Sequence, residues 1–114
     1  MDIHTVDYAH PDAVKLIACG SWRVATADAE LKRMFVTPSF RGKGFSRELL
    51  AELERTALAA GRTRAVLETG TLQPEAIALY RSSGYTEIPK FGIYRHTQES
   101  ICLAKELNGD LRIR

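Results

Sequence analysis

Seven consecutive residues, Arg41-Gly42-Lys43-Gly44-Phe45-Ser46-Arg47, bring two glycines and three cations together. Ahead of them runs Met34-Phe35-Val36-Thr37-Pro38, an extended apolar stretch closed by a proline. Behind them a long amphipathic segment begins. A strand that ends in glycines just before a helix turns free backbone N–H groups toward one point. The helix dipole adds about half a positive charge there. Arg41, Lys43 and Arg47 add full charges. This arrangement suits a phosphate or pyrophosphate.

Two common phosphate loops do not fit. The spacing G-x-x-x-x-G-K-[ST] occurs nowhere in the chain. Gly42 and Gly44 match the first two positions of G-x-G-x-x-G, but the third falls on Arg47. What remains is Arg-Gly-Lys-Gly-Phe-Ser, preceded by Val-x-Pro and followed by Arg-Glu-Leu-Leu. It resembles the R/Q-x-x-G-x-G/A pyrophosphate loop of the GNAT superfamily of N-acetyltransferases. A later block, Gln73-Pro74-Glu75-Ala76-Ile77-Ala78-Leu79-Tyr80-Arg81-Ser82-Ser83-Gly84-Tyr85, resembles the family segment N-x-x-A-x-x-L-Y-x-x-x-G-F/Y. Glu30-Leu31-Lys32-Arg33-Met34-Phe35-Val36 resembles the family's central strand. The likeness runs from about Ala18 to Leu107. It implies an α/β (α+β) fold: a mixed, mostly antiparallel sheet with a central parallel βαβ unit and flanking helices.

The resemblance also implies a reaction. Acetyl-CoA would donate an acetyl group to a primary amine of a small molecule or a protein. Such a transfer needs a neutral amine, a donor for the tetrahedral oxyanion and a proton for the leaving thiolate. A lysine-like amine has a pKa of about 10.4, so a base or a water chain must take its proton at neutral pH. The family carries an acidic residue on the central strand for this, which falls on Glu30. Glu68 is the second candidate. Tyr80 matches the family tyrosine beside the thioester sulfur, where a phenol can protonate the thiolate. Backbone N–H groups of Met34, Phe35 and Val36 would meet the oxyanion and pair with pantetheine like an added strand. Arg41, Gly42, Lys43, Gly44, Phe45, Ser46 and Arg47 would hold the pyrophosphate. Ser46 stands where the family has Gly or Ala, and Gln73 where it has Asn.

Simpler roles stand beside these. Glu30 could be an exposed strand-end acid paired with Arg33 or Lys32. Tyr80 could be a core tyrosine. A catalytically idle acyl-CoA-binding module or regulatory subunit is the rival from another functional class. Family members open with a strand and a helix pair that wall the acceptor site. Here about fifteen unpatterned residues precede the strand around Ile17-Ala18-Cys19. Either the chain is truncated or that wall comes from elsewhere, and the bare sheet edge left by a missing first strand predicts a homodimer.

Length and composition bound the rest. The 114 residues make one domain, 1–114, with 1–14 as a loosely held arm and 109–114 as a short tail. A net charge of +2 with dispersed basic residues argues against a nucleic-acid partner. No apolar run approaches the roughly 20 residues that span a bilayer, which argues against a membrane role. Met1-Asp2-Ile3-His4-Thr5-Val6-Asp7 is not a signal peptide, so a cytoplasmic protein is expected. Cys19 and Cys102 form no metal spacing and read as buried free thiols. No metal is expected. His4, His10 and His96 sit in loop-like segments and read as solvated.

The elements that must position the site follow from periodicity. Lys15 to Val24 and Glu30 to Val36 read as strands around a turn centred on Asp28, the second ended by Pro38. Apolar residues at Phe45, Leu49, Leu50, Leu53, Ala57 and Leu58 predict a helix that stops at Gly61. Arg64 to Thr69 reads as a strand parallel to the preceding one. Pro74 opens a second helix, with Ala76, Ile77, Leu79 and Tyr80 as its apolar stripe and Gly84 as its end. Tyr85 to Ile88 and Glu99 to Leu107 are the remaining strands.

Overall fold

The computed structural model describes residues 3–9, 16–25, 27–42, 44–92 and 98–107. In chain order the elements are β1 (Ile3–Ala9), β2 (Leu16–Ala25), β3 (Asp28–Val36), α1 (Phe45–Ala59), β4 (Arg64–Gly70), α2 (Pro74–Ser82), β5 (Thr86–Ile88) and β6 (Ser100–Glu106). A single 3₁₀ turn, Pro38–Phe40, links β3 to the glycine loop. The six strands form one sheet in the order β1-β2-β3-β4-β6-β5. Only β3 and β4 are parallel; every other neighbouring pair is antiparallel. This is the α/β architecture expected, with the parallel pair and α1 as its βαβ centre.

One expectation is corrected. Residues 3–9 are not a loose arm but strand β1, paired along β2 from Ile3↔Arg23 to Ala9↔Leu16. The segment is rich in strand formers (Ile3, Thr5, Val6, Tyr8) but lacks an apolar alternation of two. Its order comes from the backbone ladder of an edge strand, which leaves no hydrophobic signature. The pairing also removes the bare β2 edge on which the homodimer expectation rested. The other edge is β5, only three residues long. The expected closing turn and tail, and His10 and His96, lie outside the described residues.

The core forms where α1 lies on the sheet. Leu49, Leu50, Leu53 and Ala57 fall on one face of α1 at helical spacing and are buried. They meet Trp22 of β2, Ala29 and Leu31 of β3, Ala65 and Leu67 of β4 and Leu103 of β6. The Trp22 indole N–H donates to Thr56 Oγ1 at 3.0 Å, so even this large apolar group has its polar atom satisfied. Gly20 sets how closely α1 approaches β2. A Cβ there would lie 3.0 Å from Leu53 Cδ1 and 3.3 Å from Met34 Cγ.

A buried polar network joins the far end of the core. Glu54 of α1 is 8% exposed. Its carboxylate accepts the Tyr85 hydroxyl at 2.8 Å and the Lys105 ammonium at 2.9 Å. That ammonium also sits 5.8 Å from the centre of the Tyr85 ring. Two donors for one buried carboxylate offset the cost of removing it from water. Burial, then the neighbouring Glu54 carboxylate, pushes the Tyr85 hydroxyl far above its ordinary value.

Gly20→Ala should lower stability by about 1–3 kcal/mol, the usual cost of overpacking. A urea midpoint equal to wild type would show that α1 does not need this close approach. Tyr85→Phe leaves Glu54 one donor short and should cost about 1–3 kcal/mol. The same hydroxyl sets a pH dependence. Its native pKa is raised, whereas an unfolded tyrosine titrates near about 10. Its contribution is therefore whole below that pH and is lost as pH climbs above it. Thermal melts should show stability falling above about pH 10, and less steeply in Tyr85→Phe.

Candidate active site

The site begins where the two parallel strands part. β3 and β4 pair at Asp28↔Arg64, Ala29↔Ala65 and Glu30↔Val66, and then no further. Beyond that point β4 stays paired with β6 as far as Gly70↔Ser100. β3 instead follows β2 as far as Ala18↔Val36. Between Cys19↔Phe35 and Ser21↔Lys32 the register shifts, so Arg33 and Met34 together oppose Gly20. A bulge of this kind bends its strand and adds twist. The bidentate Arg64–Asp28 pair, at 2.8 and 3.3 Å, closes the joined end. The β4-facing backbone edge of Met34 to Val36 has no strand partner among the described residues.

A cleft of about 890 Å³ opens beside this gap. Met34, Phe35 and Val36 form one wall, and Arg41, Gly42 and Ser46 one end. The opposite wall is Leu72, Gln73 and the first turns of α2, from Pro74 to Tyr80. The size falls within the usual range for small-molecule sites.

The glycine loop has the geometry its sequence suggests. Gly42 and Gly44 have φ of 77° and 86°, in the left-handed region. Gly44 is the N-cap of α1. A Cβ at either position would meet nothing within 4 Å, so backbone conformation, not internal crowding, demands glycine. Arg41 is fixed at the strand end: its Nε donates to the Val36 carbonyl at 2.9 Å, and its guanidinium lies 5.4 Å from the Phe35 ring centre. Arg47 turns away from the loop. Its Nη1 donates to Ser82 Oγ at 2.9 Å and Ser83 Oγ at 3.3 Å, tying the first turn of α1 to the end of α2. Phe45 packs its ring against the core. Lys43 lies outside the described residues.

Tyr80 reaches across the cleft. Its hydroxyl donates to Met34 Sδ at 3.6 Å, and its ring meets Tyr85 edge-on with centroids 5.8 Å apart. Burial raises the pKa of the hydroxyl above its ordinary value. At neutral pH the group is therefore a protonated phenol, able to donate.

The two acids differ. Glu30 is 3% exposed, not the exposed acid of the simpler reading. It pairs with Arg23 at 2.9 Å and Lys32 at 3.2 Å. It belongs to the last joined pair of β3 and β4, and neither it nor Glu68 lines the cleft. Glu68 lies on β4 beyond the parting, opposite Cys102. It is partly exposed and makes no hydrogen bond or ion pair among the described residues. Because alternate strand residues share a face, Glu68 and Val66 point the same way as Glu30, the cross-strand neighbour of Val66.

Sequence reasoning found one wall and one end of the cleft, with Gln73 and Tyr80 on the far wall. It missed Leu72, Pro74, Glu75, Ala76 and Leu79. Leu72 carried a signal: a large apolar residue in a polar turn, 81% exposed. Cys102 is buried as expected, while Cys19 is only partly so, and both are free. Burial pushes the Cys102 thiol up, which marks it as unreactive.

Known proteins resemble this chain in sequence and in fold. The family model described as an acetyltransferase (GNAT) domain matches residues 8–87. A protein named IAA acetyltransferase from Azospirillum brasilense is 38% identical over 117 residues, covering 94% of this chain and 75% of that protein. The structure of a protein described as an acyl-CoA N-acyltransferase from Klebsiella pneumoniae superposes with a TM-score of 0.85 at 30% identity, covering 93% of this chain and 73% of that one. The PaiA N-acetyltransferase of Thermoplasma acidophilum, solved with coenzyme A, shares the fold at a TM-score of 0.77 and 19% identity, covering 93% of this chain and 62% of that one. The Escherichia coli ribosomal-protein-S18-alanine N-acetyltransferase shares the fold at 0.76 and 24%, covering 93% of this chain and 70% of that one. No helix among the described residues is long and apolar enough to cross a membrane.

Proposed function

This chain belongs to the GNAT acetyltransferase family, and on that premise we propose that it transfers the acetyl group of acetyl-CoA to a primary amine. The observation that carries the proposal is the parting of β3 and β4 beside a cleft that holds both the glycine loop and Tyr80. Pantetheine amides would pair with the free edge of Met34 to Val36 as an added strand. The pyrophosphate would lie on the N–H groups at the start of α1, with Arg41 at the loop entrance. The thioester would then lie near the parting, close to Tyr80.

The amine is attacking from the sheet side in this reading, where Glu68 and Glu30 share a face. Glu68 is the better base. The Glu30 carboxylate is already occupied by two cations, one on each oxygen. Among the described residues Glu68 has no such partners, and it stands where the strands have separated. Glu30 would instead lock Arg23 and Lys32 and keep the joined end rigid. As the amine nitrogen bonds to the carbonyl carbon, a backbone N–H of Met34 to Val36 would meet the oxyanion. When the C–S bond breaks, the Tyr80 hydroxyl would protonate the departing thiolate.

The acceptor class is tested directly. The relatives' names point to different acceptors, so a panel should include alkylamines, arylalkylamines, amino acids, IAA and a peptide with an N-terminal alanine. Release of free CoA thiol reports turnover. Binding of CoA with no turnover on any member would favour the idle binding module instead.

Arg41→Glu or Gly44→Val should weaken CoA binding at least tenfold, about 1.4 kcal/mol. Calorimetry that finds wild-type affinity in a folded variant would remove the loop from the site. Glu68→Gln should lower the rate by about 10²–10⁴, while Glu30→Gln should act mainly on thermal stability. The opposite ranking would return the base role to Glu30. Tyr80→Phe should lower kcat with little change in KM for acetyl-CoA, the mark of an interaction made only in the transition state.

A further inference from the structure

The hydroxyl of Tyr80 has an unusual acceptor. It donates to the thioether sulfur of Met34 at 3.6 Å, across the cleft from α2 to β3. A thioether is a weak acceptor. It can orient a phenol O–H without competing strongly for the proton. A carboxylate in the same place would retain it.

The position of Met34 is itself constructed. The β3 bulge sets Arg33 and Met34 jointly opposite Gly20. Met34 Cγ lies 3.3 Å from where a side chain on residue 20 would begin. A side chain at residue 20 would crowd Met34 Cγ, so glycine there leaves the thioether its place. Leu53 and Leu49 close the same space from the helix side, at 3.0 and 3.5 Å from that point.

We propose that Met34 is a positioning residue for Tyr80, holding its hydroxyl at the parting of the strands on a weak acceptor that yields the proton when the thiolate forms. The inference rests on the reading of Tyr80 as proton donor. The amine nitrogen bonds to the carbonyl carbon and gives its extra proton to the base. The oxyanion collapses, the C–S bond breaks and its electron pair goes to sulfur. The phenol proton moves to that sulfur, giving free CoA thiol. The phenolate regains a proton from solvent, and its O–H returns to Met34 Sδ.

Two substitutions separate this role from packing. Met34→Leu removes the acceptor at nearly constant volume. Met34→Gln keeps the chain length and supplies a stronger acceptor. A hydrogen bond donated by the neutral phenol stabilises its protonated form. The alkaline limb of the kcat profile should therefore move to lower pH in Met34→Leu and to higher pH in Met34→Gln. Met34→Leu should also lower kcat about 3- to 10-fold, with KM for acetyl-CoA nearly unchanged. In a Tyr80→Phe background neither substitution should lower kcat further. Turnover is read as free CoA thiol with the fastest amine of the panel and with water as acceptor. Thermal melts and calorimetric CoA binding confirm that each variant is folded.

Wild-type kcat and an unmoved alkaline limb in both single variants overturn the proposal. So does an equal loss of kcat with and without the Tyr80 hydroxyl, which assigns Met34 to packing alone. If Tyr80→Phe loses activity while Met34→Leu does not, only the positioning role falls. If Tyr80→Phe itself retains wild-type kcat, the proton-donor reading falls and this inference with it.

Discussion

The limited pairing of β3 with β4 is the constraint on which the rest of this structure depends. Three residue pairs join them, and then each strand keeps its other partner. Backbone N–H and C=O groups inside a protein must find partners, so a strand edge left open in a sheet centre is costly unless water or a ligand meets it. Here the open edge lies at the middle of the sheet, not at its rim. The bulge opposite Gly20 bends β3 off the course of β4, and the β6 ladder holds β4 in place. The glycine loop, α1 and α2 are arranged around that opening.

Two kinds of contact keep the opening in shape. Arg47 ties the start of α1 to the end of α2, so the glycine loop and the wall that carries Tyr80 are set relative to each other. Behind them the Glu54 carboxylate joins α1, the segment after α2 and β6 through Tyr85 and Lys105. Because Tyr85 meets Tyr80 edge-on, this network also supports the cleft tyrosine from beneath. Charge inside the domain is used for geometry. Breaking such a buried pair by removing one partner is typically far more damaging than its net contribution suggests.

Much of this was legible in the chain itself. The apolar steps from Phe45 to Leu58 define α1, and Pro74 with Gly84 brackets α2. The glycines at 42 and 44 imply a left-handed loop, which the positive φ values match. Strand β1 was not legible, because an edge strand is held by its backbone ladder and needs no apolar period. Of the two partners of Glu30, only Lys32 was legible. Lys32 is two residues away, but Arg23 arrives from the neighbouring strand through the Arg23↔Glu30 register, which no local pattern encodes. Likewise, the contact of Tyr80 with Met34 spans 46 residues and depends on a bulge and on the absent side chain of Gly20. Local sequence thus identifies the residue types of the site, while strand register decides which acid is tied up.

Phe35 and Leu72 stand on opposite lips of the cleft, 47% and 81% exposed. Both face water where most large apolar side chains among the described residues do not. A molecule long enough to lie between them would take both surfaces out of water at once. Removing apolar surface lowers the heat capacity of the system. The enthalpy of association at this cleft would then grow more favourable as temperature rises, whereas the phosphate contacts proposed for the loop would be electrostatic. The cleft therefore joins a charged end, weakened by salt, to an apolar middle that salt leaves largely untouched.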